Sequence, residues 1–169
     1  GADGESLEGL SASSFRVLED GTEVAAVDFA GLGEQRPVDV VFVLDTTSSM
    51  GSYIEGVKQT ITAFAETLAA RNRSYRLALV TFGDTVRESH PFTDGVPQFI
   101  EWVSAQQAEG GGDGPENPWA GLQHAAGFSF RPGVQRLIVL ITDAPAHNYG
   151  DPPDEGATFD DRNLTLERT

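Results

Sequence analysis

The 169-residue sequence contains no cysteine, one methionine (Met50) and one lysine (Lys58). Without cysteine there is no disulfide framework, no thiolate metal site and no cysteine nucleophile, and cysteine usage leaves the redox compartment open. No apolar run approaches the roughly 18 residues that a membrane span requires, which argues against membrane insertion. No basic, apolar leader opens the sequence, which leaves the compartment open as well. Positive charge is scarce: 11 Lys and Arg stand against 26 Asp and Glu, a formal net charge of −15. Phosphate backbones are held by clustered Lys and Arg, so nucleic acid is excluded as a partner.

What is present describes a folded domain. Hydrophobic residues at 39% and charged residues at 22% are ordinary values for a globular chain. The acid excess is concentrated at the ends. Residues 1–35 carry eight acids against Arg16, and residues 151–169 carry six against Arg162 and Arg168, whereas residues 36–150 are only mildly acidic. A solvated acidic surface is the simplest account of both ends.

Residues 1–14, rich in Gly, Ser and acids, read as a flexible leader. Residues 15–35 read as a β-hairpin and linker. The extended stretches Phe15–Leu18 and Val24–Phe29 flank Glu19-Asp20-Gly21-Thr22, and Asp-Gly is a hairpin turn signal. Residues 36–169 read as the main domain. It opens with Val38 to Leu44, an apolar, β-branched run that suits a parallel strand buried on both faces.

Ile54, Val57, Ile61, Phe64, Ala65 and Leu68 then recur at helical spacing, closed by Arg71-Asn72-Arg73. Tyr75–Phe82 reads as a second strand and Gly83-Asp84 as a turn. Val86–Phe92 reads as a short edge strand. Pro97 suits the first turn of a helix reaching about Gln107. Trp119, Leu122, Ala125 and Ala126 mark one face of a further helix, and Arg136–Ile141 reads as a third buried strand. Alternating strands and helices give an α/β fold, doubly wound around a mostly parallel sheet. A buried strand at 136–141 wants parallel neighbours on both sides. The sequence therefore implies at least one further strand–helix unit, making the C-terminal part of the domain incomplete.

Three loops offer oxygen donors: Asp45-Thr46-Thr47-Ser48-Ser49, Asp113-Gly114-Pro115-Glu116, and Thr142-Asp143. The first and third directly follow core strands. In open α/β sheets, ligands sit at the carboxyl ends of strands, so the topology brings these loops together. Two carboxylates about 4 Å apart repel by roughly 4 kcal/mol at an effective dielectric near 20. Gathering Asp45, Glu116 and Asp143 therefore calls for a cation or for protonation. Carboxylates and hydroxyls are hard ligands, suited to Mg²⁺, Mn²⁺ or Ca²⁺ and not to Zn²⁺ or copper. Each loop alone also has a plain reading, since Asp, Ser and Thr between a strand and a helix are good N-caps.

Val40 to Met50, containing Asp45-Thr46-Thr47-Ser48-Ser49, resembles the metal-ion-dependent adhesion site of von Willebrand factor type A domains, whose first loop reads Asp-x-Ser/Thr-x-Ser. Leu140-Ile141-Thr142-Asp143 is similar to that family's last metal-site strand. Gly110 to Glu116 resembles the middle loop of integrin beta subunits and hemicentin-like proteins, where a Glu after Pro replaces the usual Thr. The resemblance covers about residues 36–148. It implies a doubly wound fold and metal ligands Asp45, Thr47, Ser49 and Glu116, with Asp143 acting directly or through water. One divalent cation is implied, Mg²⁺ before Mn²⁺ or Ca²⁺. It also points to Asp113 as a residue for a second cation, an idea weakened by Gly111 where Asn is expected and by Gly51-Ser52 where an acidic pair is expected.

The function implied is a non-catalytic adhesion or assembly module, whose metal is completed by an Asp or Glu carboxylate from a protein partner, at the cell surface or outside it. Two other readings stay open. One is an intracellular assembly subunit working beside an ATPase or kinase. The other is a metal-dependent hydrolase, for which no general base is evident. His124 reads as packing or surface, His147 as loop or metal rim, and Trp102 and Trp119 as core.

Overall fold

A computed structural model describes residues 16–24, 37–71, 74–111 and 115–146. The chain divides into two units, residues 1–35 and 36–169. In the first, strands β1 (Leu18–Glu19) and β2 (Thr22–Glu23) pair antiparallel, with Leu18 opposite Glu23. Asp20 and Gly21 both take positive φ, 49° and 82°, as a two-residue type I′ turn demands. Asp and Gly tolerate that conformation, so the hairpin forms where expected. Its described strands are shorter, with Phe15 and residues 25–29 lying outside the described residues.

The second unit holds a four-stranded sheet in the order β5-β4-β3-β6, made of β3 (Val38–Asp45), β4 (Tyr75–Phe82), β5 (Val86–Thr93) and β6 (Gln135–Ile141). β3 runs parallel to both β4 and β6, and β5 joins β4 antiparallel. Every residue of β3 is buried, as its apolar composition requires.

Alternation along β3 divides the core in two. Val40, Phe42 and Leu44 face α1 (Ile54–Arg71) and α2 (Val96–Ala105), packing with Ile54, Ile61, Ala65, Phe99 and Val103. Val41 and Val43 join Ala78, Val80 and Phe82 against Ala125 of α3 (Pro118–Ala126). Helices thus cover both faces, which is the doubly wound arrangement. α3 packs closely: a Cβ at Gly121 would lie 2.7 Å from Val43 Cγ1, so this face of the helix has no room for a side chain. No helix among the described residues is long and apolar enough to cross a membrane.

β6 departs from the expected third buried strand. Leu137, Ile138 and Leu140 are 37%, 37% and 38% exposed, and only Val139 and Ile141 pack against the α1/α2 core. Among the described residues β6 pairs with β3 alone, so its outer edge carries no strand to shield its side chains. Apolar composition marked the strand correctly but overstated its burial.

Candidate metal centre

Parallel register places the candidate residues. Asp45 ends β3 beside Phe82, the end of β4, while Leu44 pairs with Ile141, the end of β6. Loops leaving all three strands therefore open at one edge of the sheet. Asp45 is fully buried there, with Thr46 and Thr47 almost as deep. Its Oδ1 accepts from the Thr47 backbone N–H at 2.9 Å and the Thr47 hydroxyl at 2.7 Å. Its Oδ2 accepts from the Thr142 hydroxyl at 2.6 Å.

The hydroxyls carry the network onward. Thr47 Oγ1 lies 3.0 Å from Ser49 Oγ, which donates to Asp143 Oδ1 at 2.8 Å. Residues 45, 47, 49, 142 and 143 thus form one connected set across 98 positions of chain. Asp143 is exposed at the rim, whereas Asp45 sits at the floor.

Glu116 arrives from the third direction. Its N–H donates to Pro145 O at 3.0 Å, and it bridges Ala146 in parallel, which fastens the middle loop to the loop after β6. Asn117 then caps α3 by accepting from the Ala120 N–H at 3.1 Å. The Glu116 side chain is buried, 2% exposed, and its Oε2 has no hydrogen-bond partner. Desolvation pushes its pKa up to about 7, assisted by the charges of Asp84 and Asp45 and opposed by a hydrogen bond from Thr47 and the charge of Arg87. Gly111 packs over this carboxyl group at φ 94°, where a Cβ would stand 3.2 Å from Glu116 Oε1 and 3.3 Å from Thr47 Cβ. Only glycine allows the loop to come this close.

The donor set fits a hard cation for a specific reason. The Thr47 hydroxyl donates to Asp45 Oδ1 and lies 3.0 Å from Ser49 Oγ, while the buried Glu116 Oε2 has no donor. The donors present satisfy both oxygens of Asp45 but leave Glu116 Oε2 without a partner. Buried acceptors without donors are costly, and a divalent ion is one means of satisfying several at once.

The arrangement also corrects a simpler picture. Among the described residues, no three acidic, His or Cys side chains stand grouped as metal ligands by themselves. Asp45 and Asp143 are joined through the hydroxyls of Thr47 and Ser49, and Glu116 acts beside them through its charge, so carboxylate repulsion alone does not define the site.

Three contributors were not singled out by sequence reasoning. Thr142 was read only as one of several loop oxygens, yet it holds Asp45. Asp84 was read as a turn residue, but it acts electrostatically on Glu116 and its Oδ1 is buried without a partner. Its position just after β4, beside the end of β3, was the available signal. Arg87 lay hidden in an edge strand. Asp113 and His147 fall outside the described residues. His124 meets Ser89 Oγ at 2.7 Å and the edge of Phe128, away from the site residues. Trp102 packs against the core, and half-buried Trp119 leaves its Nε1 unpaired.

The sequence profile described as von Willebrand factor A domain matches residues 39–151, about two thirds of the chain. The chain belongs to this family. The chain is 28% identical over 145 residues to the alpha-protein kinase vwkA of Dictyostelium discoideum, covering 82% of this chain and 23% of the kinase. It is similar in fold to the vWF domain of the type V pilus tip protein Mfa5 from Porphyromonas gingivalis. That match has a TM-score of 0.58 at 23% identity and covers 68% of this chain and 40% of the other. A further match is proximal thread matrix protein 1 from the mussel byssus, whose adhesion-site motif is occupied by zinc. Its TM-score is 0.52 at 21% identity, covering 64% of this chain and 29% of that one. The A domain thus spans less than half the length of each of these relatives. Domains of this family commonly serve as metal-dependent protein-interaction modules and are typically non-catalytic.

Proposed function

We propose that this A domain binds one divalent cation through Asp45, Thr47, Ser49 and Glu116, with Asp143 acting directly or through water, and uses it to hold a carboxylate from a protein partner. The observation that carries this reading is the buried Glu116 Oε2, which has no hydrogen-bond partner and feels the negative charge of Asp45. The ion would supply positive charge directly at these oxygens. An all-oxygen set favours Mg²⁺, Mn²⁺ or Ca²⁺. The zinc-occupied motif in the mussel protein supports a divalent cation in general. Two carboxylates with small hydroxyl ligands leave part of an octahedral shell to water, and a partner's Asp or Glu replaces that water.

The Asp-Gly-Pro-Glu order of residues 113–116 supports reading the domain as the integrin-beta and hemicentin-like variant. In this reading Asp113 is the residue available to a second cation. Likeness to pilus and byssal proteins favours a surface or extracellular setting. Similarity to an alpha-protein kinase supports a second reading, an intracellular assembly module beside a kinase. Both readings use the same metal site.

The test is Mn²⁺ titration by calorimetry and water-proton relaxation. Wild type should bind and show an exchangeable water, and added acetate should lower the relaxation by displacing it. Asp45→Ala should bind no Mn²⁺. Equal binding by the two proteins would refute the assignment.

A further inference from the structure

The cation already built into this region is Arg87, on edge strand β5, and its contacts converge on the candidate metal loops. Its Nη1 donates to the Thr46 carbonyl at 2.7 Å and the Glu109 carbonyl at 2.6 Å, with Thr46 Oγ1 at 3.3 Å. Its Nη2 passes between two glycines. A Cβ at Gly83 would lie 2.7 Å from it, and one at Gly110 would lie 3.2 Å away. The guanidinium therefore threads between the turn after β4 and the glycine-rich loop while reaching the first metal loop. Side chains at Gly83 or Gly110 would obstruct that path.

The glycine-rich loop lies on the first loop through backbone bonds that share these partners. Glu109 N–H donates to the Thr46 carbonyl at 3.0 Å, and Ser48 N–H donates to the Gly110 carbonyl at 2.9 Å. Ser48 Oγ donates to that same Gly110 carbonyl at 2.7 Å. Thr46 and Glu109 thus turn their carbonyl oxygens towards one nitrogen bearing two protons. A planar guanidinium satisfies both at once, which a point-like ammonium on a shorter stem does less well. One residue further along, Gly111 packs against Glu116 and Thr47.

We infer that Arg87 is a positioning residue that clamps the glycine-rich loop onto the Asp45 loop, holding Glu116 and Thr47 together before any metal arrives. This inference rests on the proposed metal site for its consequence, but not for the clamp itself. Two effects of the guanidinium on cation affinity have opposite signs. Its positive charge opposes the approach of a second cation, so on charge alone its removal would tighten binding. As a clamp it pre-organises the ligands, so its removal weakens binding. Arg87 is solvent-exposed, so water screens its charge, whereas its two short hydrogen bonds to backbone carbonyls hold the loops directly; pre-organisation is therefore the dominant effect.

The test compares Arg87→Met and Arg87→Lys with wild type in two measurements. In metal-free protein, hydrogen exchange at the Glu109 and Ser48 amides should be fastest in Arg87→Met and intermediate in Arg87→Lys, with far-UV circular dichroism unchanged. In the calorimetric titration, Arg87→Met should bind Mn²⁺ about 10- to 100-fold more weakly, the range seen when a supporting contact behind a metal ligand is lost. Arg87→Lys should recover part of that loss. Tighter or unchanged Mn²⁺ binding by Arg87→Met, or unaltered exchange at both amides, overturns the inference. If Arg87→Met does not fold, Arg87→Lys decides alone, and wild-type behaviour in both measurements overturns it. If wild type takes up no Mn²⁺, the metal assignment fails while amide exchange still decides the clamp.

Discussion

Asp39 and Asp45 lie six residues apart on β3, on the same strand face, and both are fully buried. Their surroundings are opposite. Asp39, at the start of the strand, accepts from Arg76 Nε and Nη2 at 3.1 and 2.6 Å, and from Arg131 Nε and backbone N at 2.9 and 2.8 Å. Burial alone would raise its pKa, but these hydrogen bonds and the Arg76 charge outweigh it and hold the carboxyl at about 2. Asp45, at the other end, is satisfied by two hydroxyls and one backbone N–H, and its charge bears on Glu116. An acid with two resident guanidiniums is a fixed structural part. An acid held by hydroxyls beside another acid has no guanidinium among its donors. Burial of a carboxylate does not by itself distinguish the two, whereas the charge of its donors does.

The comparison can be broken most forcefully at Asp39. Asp39→Ala strands two guanidiniums that are each about a quarter exposed, and should cost about 3 kcal/mol or more in urea unfolding. The folded fraction should keep its Mn²⁺ affinity. A variant that loses cation binding but keeps its stability would reverse the roles assigned to the two ends.

Acid titration of metal-free protein should separate the ends by sign. Glu116 has a folded pKa of about 7 against an ordinary 4.5, so the folded state takes up its proton first. Its contribution is fully present below about 4.5 and is lost as pH rises through about 7, on the order of 3 kcal/mol. Asp39 does the reverse. Its contribution is present above 3.8 and is lost as pH falls towards about 2, on the order of 2 kcal/mol. Glu116→Gln should flatten the upper limb of the urea stability–pH profile and leave the lower one unchanged. An unchanged upper limb would remove Glu116 as its source.

Smaller effects sharpen the Asp45 end. Mn²⁺ at a hundredfold excess over its dissociation constant should stabilise wild type by about 2.7 kcal/mol, and EDTA should reverse this. Asp45→Asn should lose that increment while changing metal-free stability by only about 1 kcal/mol. Thr142→Val, which removes the donor to Asp45 Oδ2, should cost about 1 kcal/mol in thermal or urea unfolding. A change within error would make that 2.6 Å contact incidental.

Much of the fold was legible because its signals are local. The β-branched run 38–44, the helical spacing from Ile54 to Leu68 and the Asp-Gly turn each specify an element within a few residues. Strand–loop order then brought Asp45, Thr142 and Asp143 to one sheet edge. The burial of β6 was not legible, because it depends on what lies beside that strand and over its faces. Asp39 was hidden within an apolar run, and its partners stand 37 and 92 positions away.

The sequence by itself determined the elements, the hairpin turn, the α/β class and the order in which oxygen-bearing loops leave the strands, since periodicity and turn chemistry act over short stretches of chain. Only tertiary structure decided which acid received a guanidinium and which was left to hydroxyls. It also left Glu116 Oε2 buried without a donor and brought Arg87 between the turn after β4 and the glycine-rich loop. Those outcomes depend on side chains converging from distant strands, where a contact of 2.6 to 3.0 Å fixes charge balance and residue spacing does not.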